Sequence, residues 1–286
     1  MGSKLALGTV QFGIPYGINN TSGIPGTQEL ELIFALANAN EINTFDTAIA
    51  YGNAEECISA YLQPNSNVIS KFPAASNFNS LANDLKKSLL RLNIDRLYGF
   101  MAHDANQLLK QEGLWFELCR LQDAGLILKK GYSLYYPEQL DLLQKKGYEP
   151  DIVQIPYNLL DRRFSRSLNK LKAMGTEIHV RSVFLQGLYF MEAFRLPLQL
   201  RPIETDLAQL NELAQRHNVS MAALALNFVV QNPYFDKVVI GVEKVSQLQM
   251  NLQAIDSWDT GKDDIFSAVL QLNCKHPELL IPANWK

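Results

Sequence analysis

The sequence is poor in cysteine and histidine, and both shortages exclude chemistry. Its three cysteines, Cys57, Cys119 and Cys274, are odd in number and far apart. They build neither a disulfide framework nor a metal-ligand pair and read as reduced core thiols of a cytosolic protein. His179, His217 and His276 stand apart from one another and from any carboxylate pair, so a divalent-metal hydrolase lacks its ligands and no metal is expected. An excess of charge is missing too: 26 Lys and Arg face 29 Asp and Glu, for a net charge of −3. That excludes the basic face a nucleic-acid partner requires. No apolar stretch reaches the ~20 residues of a membrane span. Met1-Gly2-Ser3-Lys4 opens no secretory segment, and Ala6 stands where a myristoylation signal needs Ser or Thr. Internal repeats, low-complexity linkers and a G-x-G-x-x-G after the first strand are absent. The expectation left is a soluble, cytoplasmic protein that handles a small molecule, with no nucleic-acid or membrane partner.

What is present is a chain of 286 residues with 47% hydrophobic content, enough for one large core. Short apolar strands are expected over residues 5–10, 43–46, 67–71, 95–103, 126–133, 151–155, 177–181 and 238–241. Helical spacing of apolar residues separates them over 27–40, 54–62, 81–92 and 107–122, and again from Pro137. Such alternation, with polar groups at nearly every strand end, predicts an α/β fold: a single (β/α)8 TIM barrel spanning residues 1–286. An open doubly wound sheet is the alternative. Two segments exceed the alternation, the Leu-, Phe- and Tyr-rich loop 183–203 and the tail from about Asp259, and either can cover a pocket.

The most informative stretch is NTFDTAIAYGNAE, residues 43–55, which passes from buried strand to loop to helix start. Asp46 ends the strand, Tyr51 follows on the loop, and Gly52 and Asn53 lead into a helix with Glu55 and Glu56 in its first turn. Lys71 and His103 end the next two apolar strands. Ahead of them, Gly8 and Thr9 open a loop, QFGIPYG, whose Phe12 and Tyr16 can floor a substrate pocket.

Asp46, Tyr51, Lys71 and His103, in this order on successive strand ends, resemble the catalytic tetrad of the aldo-keto reductase family, with FDTAIAYGNAE as the specific part. The likeness runs from Leu7-Gly8-Thr9 to Asn251. It implies reduction of a small aldehyde or ketone by a hydride from NADPH, with NADH as the alternative, in a monomeric enzyme. Hydride arrival leaves negative charge on oxygen, so a proton donor must stand within hydrogen-bond reach, and Tyr51 takes that role. A phenol titrates near 10; an ammonium ~4 Å away at an effective dielectric near 20 is worth roughly 4 kcal/mol, about three pKa units. Lys71 is expected to lower the phenol pKa in this way, Asp46 to hold Lys71, and His103 to orient the carbonyl or to help relay a proton.

The same resemblance counts Gly8 and Thr9 among the cofactor contacts and assigns Ser133 and Gln154 to the nicotinamide carboxamide, although Leu134 replaces an Asn common beside that Ser. Arg181 takes the place of an aromatic ring stacked on the nicotinamide, and Ser182, Phe184, Leu185 and Gly187 line the pyrophosphate. The run IGVEKVSQLQMN is similar to the family's adenosine-binding turn and helix, with Gly241, Lys244, Gln247 and Asn251 as contacts. Gln247 stands where NADPH-preferring members carry Arg, and an inward Glu243 would repel a 2′-phosphate. The segments LGTVQFGIPYGI, VRSVFLQG and IPANW resemble a bacterial branch associated with surface-polysaccharide genes, which admits a sugar-derived carbonyl; the aromatic loops equally admit a pyridoxal-like ring. A second class of function, a dinucleotide-sensing module on the same fold, stays open.

Overall fold

Short strands apolar on both faces, separated by helices apolar on one, have one compact solution: a sheet rolled on itself inside a helical shell. The computed structural model describes residues 3–262 and 264–285; the sequence reading of Met1 and Gly2 lies outside them. In order, β1 (Leu5–Gly8) leads through the one-turn α1 (Val10–Gly13) to α2 (Thr27–Ala39), β2 (Thr44–Asp46), α3 (Ala54–Ser59), β3 (Asn67–Phe72), α4 (Leu81–Leu92) and β4 (Leu97–Ala102). Next come α5 (Asn106–Lys110), α6 (Gly113–Asp123), β5 (Ile127–Ser133), α7 (Pro137–Lys145), β6 (Ile152–Pro156), α8 (Leu168–Ala173) and β7 (Glu177–Arg181). The rest is α9 (Glu204–Arg216), α10 (Met221–Val230), β8 (Lys237–Gly241), α11 (Val245–Asp256) and α12 (Asp264–Gln271). Neighbouring strands pair in parallel from β1 to β8, and β8 closes on β1 with Leu5 opposite Val238 and Gly8 opposite Gly241. The barrel reading holds and the open sheet does not.

The helices show why the shell forms. α4 turns Leu81, Leu85, Ser88 and Leu92 inward, one buried residue every three or four, and stops where Asn93 adopts a left-handed φ of 53°. Inside the barrel, Ile69, Met101 and Ile152 make a separate apolar layer. Every second residue of a strand faces the same way, so the residues two positions beyond this layer emerge at the C-terminal mouth. These are Lys71, His103 and Gln154.

Several boundaries differ from the sequence reading. β1 stops at Gly8 because residues 10–13 coil into α1. That turn buries Phe12 completely and packs it on Phe34, ring centres 5.9 Å apart, so Phe12 belongs to the core and not to a substrate pocket. The helix expected over 107–122 breaks into α5 and α6. Gly113 opens the second piece against Phe78, whose ring a Cβ there would meet at 3.1 Å. The loop 183–203 winds into 3-10 turns over Leu185–Phe190, Ala193–Arg195 and Leu198–Ile203, and the tail adds others over Thr260–Lys262, Pro277–Leu280 and Pro282–Asn284. Among the described residues no helix is long and apolar enough to cross a membrane.

Candidate active site

Strand register brings the four expected residues together. Asp46 lies opposite Ile69 in the β2–β3 pair, and Lys71 is two residues further along β3, so both side chains face the interior at the mouth. The Lys71 ammonium donates to Asp46 Oδ1 at 2.7 Å and to the Thr47 carbonyl at 2.9 Å, and it is wholly buried. Asp46 Oδ2 accepts a second hydrogen bond, at 2.7 Å, from Gln154 Nε2. The amide nitrogen of Gln154, a residue expected at the carboxamide, thus holds Asp46. Lys71 Nζ stands 5.4 Å from the centre of the Tyr51 ring, and the His103 ring meets that ring edge-on, centroids 5.5 Å apart at 81°.

Two glycines set the position of Tyr51. A Cβ on Gly13 would fall 1.8 Å from the Tyr51 carbonyl oxygen, and one on Gly52, at φ 61°, would fall 2.5 Å from the Gly13 carbonyl oxygen. The backbone of α1 is therefore pressed directly onto the loop that carries the phenol.

Burial dominates the electrostatics. The phenol end of Tyr51 is enclosed although the residue keeps some exposed surface; burial first and Asp46 second push its pKa far above the ordinary tyrosine value, against the pull of Arg181. The expected lowering by Lys71 is not what the structure gives, because burial of the phenol outweighs it and Asp46, paired with the ammonium at 2.7 Å, adds to the rise. Burial lowers the Lys71 pKa while Asp46 opposes the shift. His103 is pushed down to about 4, by burial and then by the charge of Lys71.

The remaining candidates surround this group. Ser133 pairs with Gln154 across β5 and β6. Arg181 lays its guanidinium 4.4 Å from the centre of the Tyr135 ring and donates to the Leu134 carbonyl at 3.1 Å and to Ser182 Oγ at 3.2 Å. Left-handed φ values collect just beyond it, at Ser182, Leu185, Gln186 and Gly187, a concentration of backbone strain typical of binding loops. Phe184 packs on Phe190, whereas Leu185 is fully buried, which leaves its backbone alone to face a ligand. Tyr16 accepts a 2.8 Å hydrogen bond from Gln186, so the loops after β1 and β7 are latched together. Around β8, Gly8 pairs with Gly241, Lys244 is exposed, Asn251 is buried, and Gln247 Oε1 accepts from the Glu243 N–H at 2.7 Å.

Thr9 Oγ1, Gln11 Oε1 and Thr47 Oγ1 are buried without a hydrogen-bond partner among the described residues. Polar atoms left unpaired at the ends of β1 and β2 suit a ligand rich in donors and acceptors, as a dinucleotide is. Beside His103 opens a cleft of about 390 Å³ walled by Pro73, Tyr135, Tyr136, Ile281 and Asn284. The tail thus lines one wall of this cleft through Ile281 and Asn284. Sequence reasoning missed the two tyrosines, and their place directly after Ser133-Leu134 at a strand end was the available signal. Among the described residues no three of His, Cys, Asp and Glu gather as a metal site.

Known proteins resemble the chain along most of its length. It is 24% identical over 278 residues to a chloroplastic pyridoxal reductase of Arabidopsis thaliana, covering 82% of this chain and 74% of that protein. It is 25% identical over 198 residues to an L-glyceraldehyde 3-phosphate reductase of Escherichia coli O157:H7, covering 60% of this chain and 57% of the relative. An aldo-keto reductase from Bacillus halodurans, solved in its holo form, superposes with a TM-score of 0.76 at 17% identity over 96% of this chain and 95% of its own. Another, from Pseudomonas aeruginosa, gives 0.65 at 24% identity, with coverage of 94% and 92%. At these identities the solved structures speak for the fold alone. The family's sequence pattern carries further: it matches residues 4–266, and the chain belongs to the Aldo/keto reductase family.

Proposed function

We propose that this chain, as a single barrel unit acting as a cytosolic monomer, reduces a small aldehyde or ketone to the alcohol with a nicotinamide dinucleotide. The observation that carries the reading is the buried Lys71–Asp46 pair beneath Tyr51, with His103 edge-on to the same ring. Family resemblance puts NADPH ahead of NADH as donor. A reduced nicotinamide supplies the hydride, and the protein's own side chains supply the proton and the orientation.

Tyr51 is the general acid. Its raised pKa keeps the phenol protonated at neutral pH, so the proton is present when charge develops on the carbonyl oxygen. His103, held neutral by a pKa of about 4, can donate an N–H to that oxygen without placing a cation beside Lys71. Lys71 and Asp46, fixed by Thr47 and Gln154, form a rigid polar floor under the phenol. As the alkoxide forms, the Tyr51 proton passes to it, and the transient phenolate lies over the ammonium. Ser133 orients the carboxamide in this reading, with Arg181 and Tyr135 as a planar wall.

The cleft limits the substrate. Its tyrosines and proline accept the flat face of a ring, and Asn284 offers hydrogen bonds. The pyridoxal named for the Arabidopsis relative and a sugar-derived aldehyde both fit this description. The test is a panel of aldehydes and ketones, screened by loss of NADH or NADPH absorbance, with Tyr51→Phe as control. Parent activity on at least one, lost in the variant, supports the reading. A parent that binds dinucleotide but turns over no carbonyl makes the sensing module the better account.

A further inference from the structure

The start of α11 is already supplied with acceptors. In a (β/α)8 barrel the loops after the last two strands, with a helix N-terminus beside them, recur as a phosphate site because free backbone N–H groups attract anions there. Here those groups are engaged. The Val245 N–H donates to the carboxylate of Glu29 at 2.5 Å, reaching across from the first turn of α2. The N–H groups of Glu243 and Lys244 donate to Gln247 Oε1 at 2.7 and 3.2 Å. Glu243 brings a second carboxylate to the turn, and the one local cation nearby in sequence, Lys244, is exposed and hence screened.

A second observation points the same way from the other side. Gln11, 8% exposed, lays its amide against Gly241 at the end of β8, where a Cβ would stand 2.2 Å from Nε2 and 2.6 Å from Oε1. Its Oε1 has no partner among the described residues. The carboxylate of Glu29, one oxygen of which takes the Val245 N–H, and the unpaired carbonyl of Gln11 are both acceptors, and neither suits a further anion. A ribose hydroxyl is a donor, whereas a 2′-phosphate near neutrality brings acceptor oxygens and up to two negative charges.

Resting on the dinucleotide reading above, we infer that this chain takes NADH in preference to NADPH, against the order the family resemblance gives, and that Glu29 is the residue that discriminates at the 2′ position. The carboxylate accepts from the ribose hydroxyl and repels a phosphate that would have to displace it from the helix start.

Dissociation constants for both dinucleotides, from fluorescence quenching of the purified chain at low ionic strength, test this without reference to turnover. The parent is expected to bind NADH at least ~10-fold more tightly than NADPH. Glu29→Gln keeps size and removes charge, and should bring the two to within ~3-fold, chiefly by tightening NADPH. Glu243→Gln should move the ratio the same way by less, and it decides the matter if Glu29→Gln does not fold. Equal or tighter NADPH binding by the parent overturns the selectivity, and an unchanged ratio in a folded Glu29→Gln overturns the role of Glu29. Binding of neither dinucleotide would remove the reductase reading and this inference together, an outcome distinct from both.

Discussion

The two ends of the barrel each hold a carboxylate, a lysine, a histidine and a tyrosine, in different states. At the C-terminal mouth stand Asp46, Lys71, His103 and Tyr51; at the opposite end stand Glu177, Lys129, His179 and Tyr98, with Lys129 Nζ 5.1 Å from the centre of the Tyr98 ring, much as Lys71 lies 5.4 Å from that of Tyr51. At the lower end Glu177 collects the partners: Tyr98 donates to it at 2.8 Å, His179 Nε2 is 2.6 Å away, and Lys129 pairs with it. Burial alone would raise its pKa, but His179, Lys129 and Tyr98 outweigh that and hold the carboxyl down to about 2. Lys129 likewise has its pKa raised despite burial, by the bonds to Glu177 and Tyr98. At the mouth burial wins: Lys71 and His103 are pushed down and Tyr51 up. Residue type does not make a site; a cluster whose partners favour its charged forms stabilises the fold, and one whose burial favours the neutral forms is poised for chemistry.

The largest expected effect breaks the symmetry by removing one oxygen at each end. Tyr51→Phe should lower kcat by about 10² to 10⁴, or ~3 to 5 kcal/mol in the barrier, with dinucleotide affinity within a few-fold of the parent. Tyr98→Phe should leave kcat unchanged and cost roughly 1 to 2 kcal/mol in urea unfolding, through its lost bond to Glu177. Steady-state kinetics and denaturation on the same two proteins check both halves. A Tyr98→Phe variant that loses turnover would end the distinction between the ends.

The upper cluster was legible in the sequence because strand ends are local features: Asp46, Lys71 and His103 each close an apolar run, and Tyr51 rides on the loop of the first. Strand and helix alternation was legible for the same reason. The lower quartet escaped because Tyr98, Lys129 and Glu177 sit at strand beginnings, where nothing in one segment reveals what the next will bring. Contacts between distant segments were equally hidden. Glu29 reaches Val245 across 216 positions, and Gln154 reaches Asp46 across 108. Phe12 was misplaced because a one-turn helix of four residues shows too little periodicity to reveal that it points into the core. The field at Tyr51 was misjudged because burial of the phenol, which depends on contacts between distant segments, outweighs the charge of Lys71.

Acid titration sharpens the comparison, since the windows of the two ends overlap only between about pH 4 and 4.5. His103 has a folded pKa of about 4 against 6.5, so the unfolded chain binds the extra proton between these values, and stability present above 6.5 is lost as pH falls to 4. The loss is about 3 kcal/mol, and His103→Asn should remove that part of the pH dependence. Glu177, at about 2 against 4.5, contributes stability present above 4.5 and lost as pH falls to 2. Allowing for solvent screening this is roughly 2 kcal/mol, and Glu177→Gln should flatten the lower window while leaving the upper one intact. Unfolding free energies of the three proteins at closely spaced pH values show whether the windows separate.

The smallest effect concerns what each ion pair does for stability when both partners are replaced together. Asp46→Asn with Lys71→Met exchanges a fully desolvated pair for neutral groups of similar size, and the attraction lost is offset by the desolvation no longer required. Stability should stay level or rise by about 1 kcal/mol while turnover disappears, the signature of residues retained for function. Glu177→Gln with Lys129→Met removes a pair whose lysine is 30% exposed and whose carboxylate also serves Tyr98 and His179, so less desolvation is recovered and more bonding is weakened. Stability there should fall by about 1 to 2 kcal/mol with kcat unchanged. Opposite signs in the two double variants, read from the urea midpoint at constant m-value, sustain the view that the mouth holds its charges at a cost to the fold and the base holds them to its benefit. A loss above ~2 kcal/mol at the mouth would mean instead that Lys71 and Asp46 are a structural pair on which the phenol happens to rest.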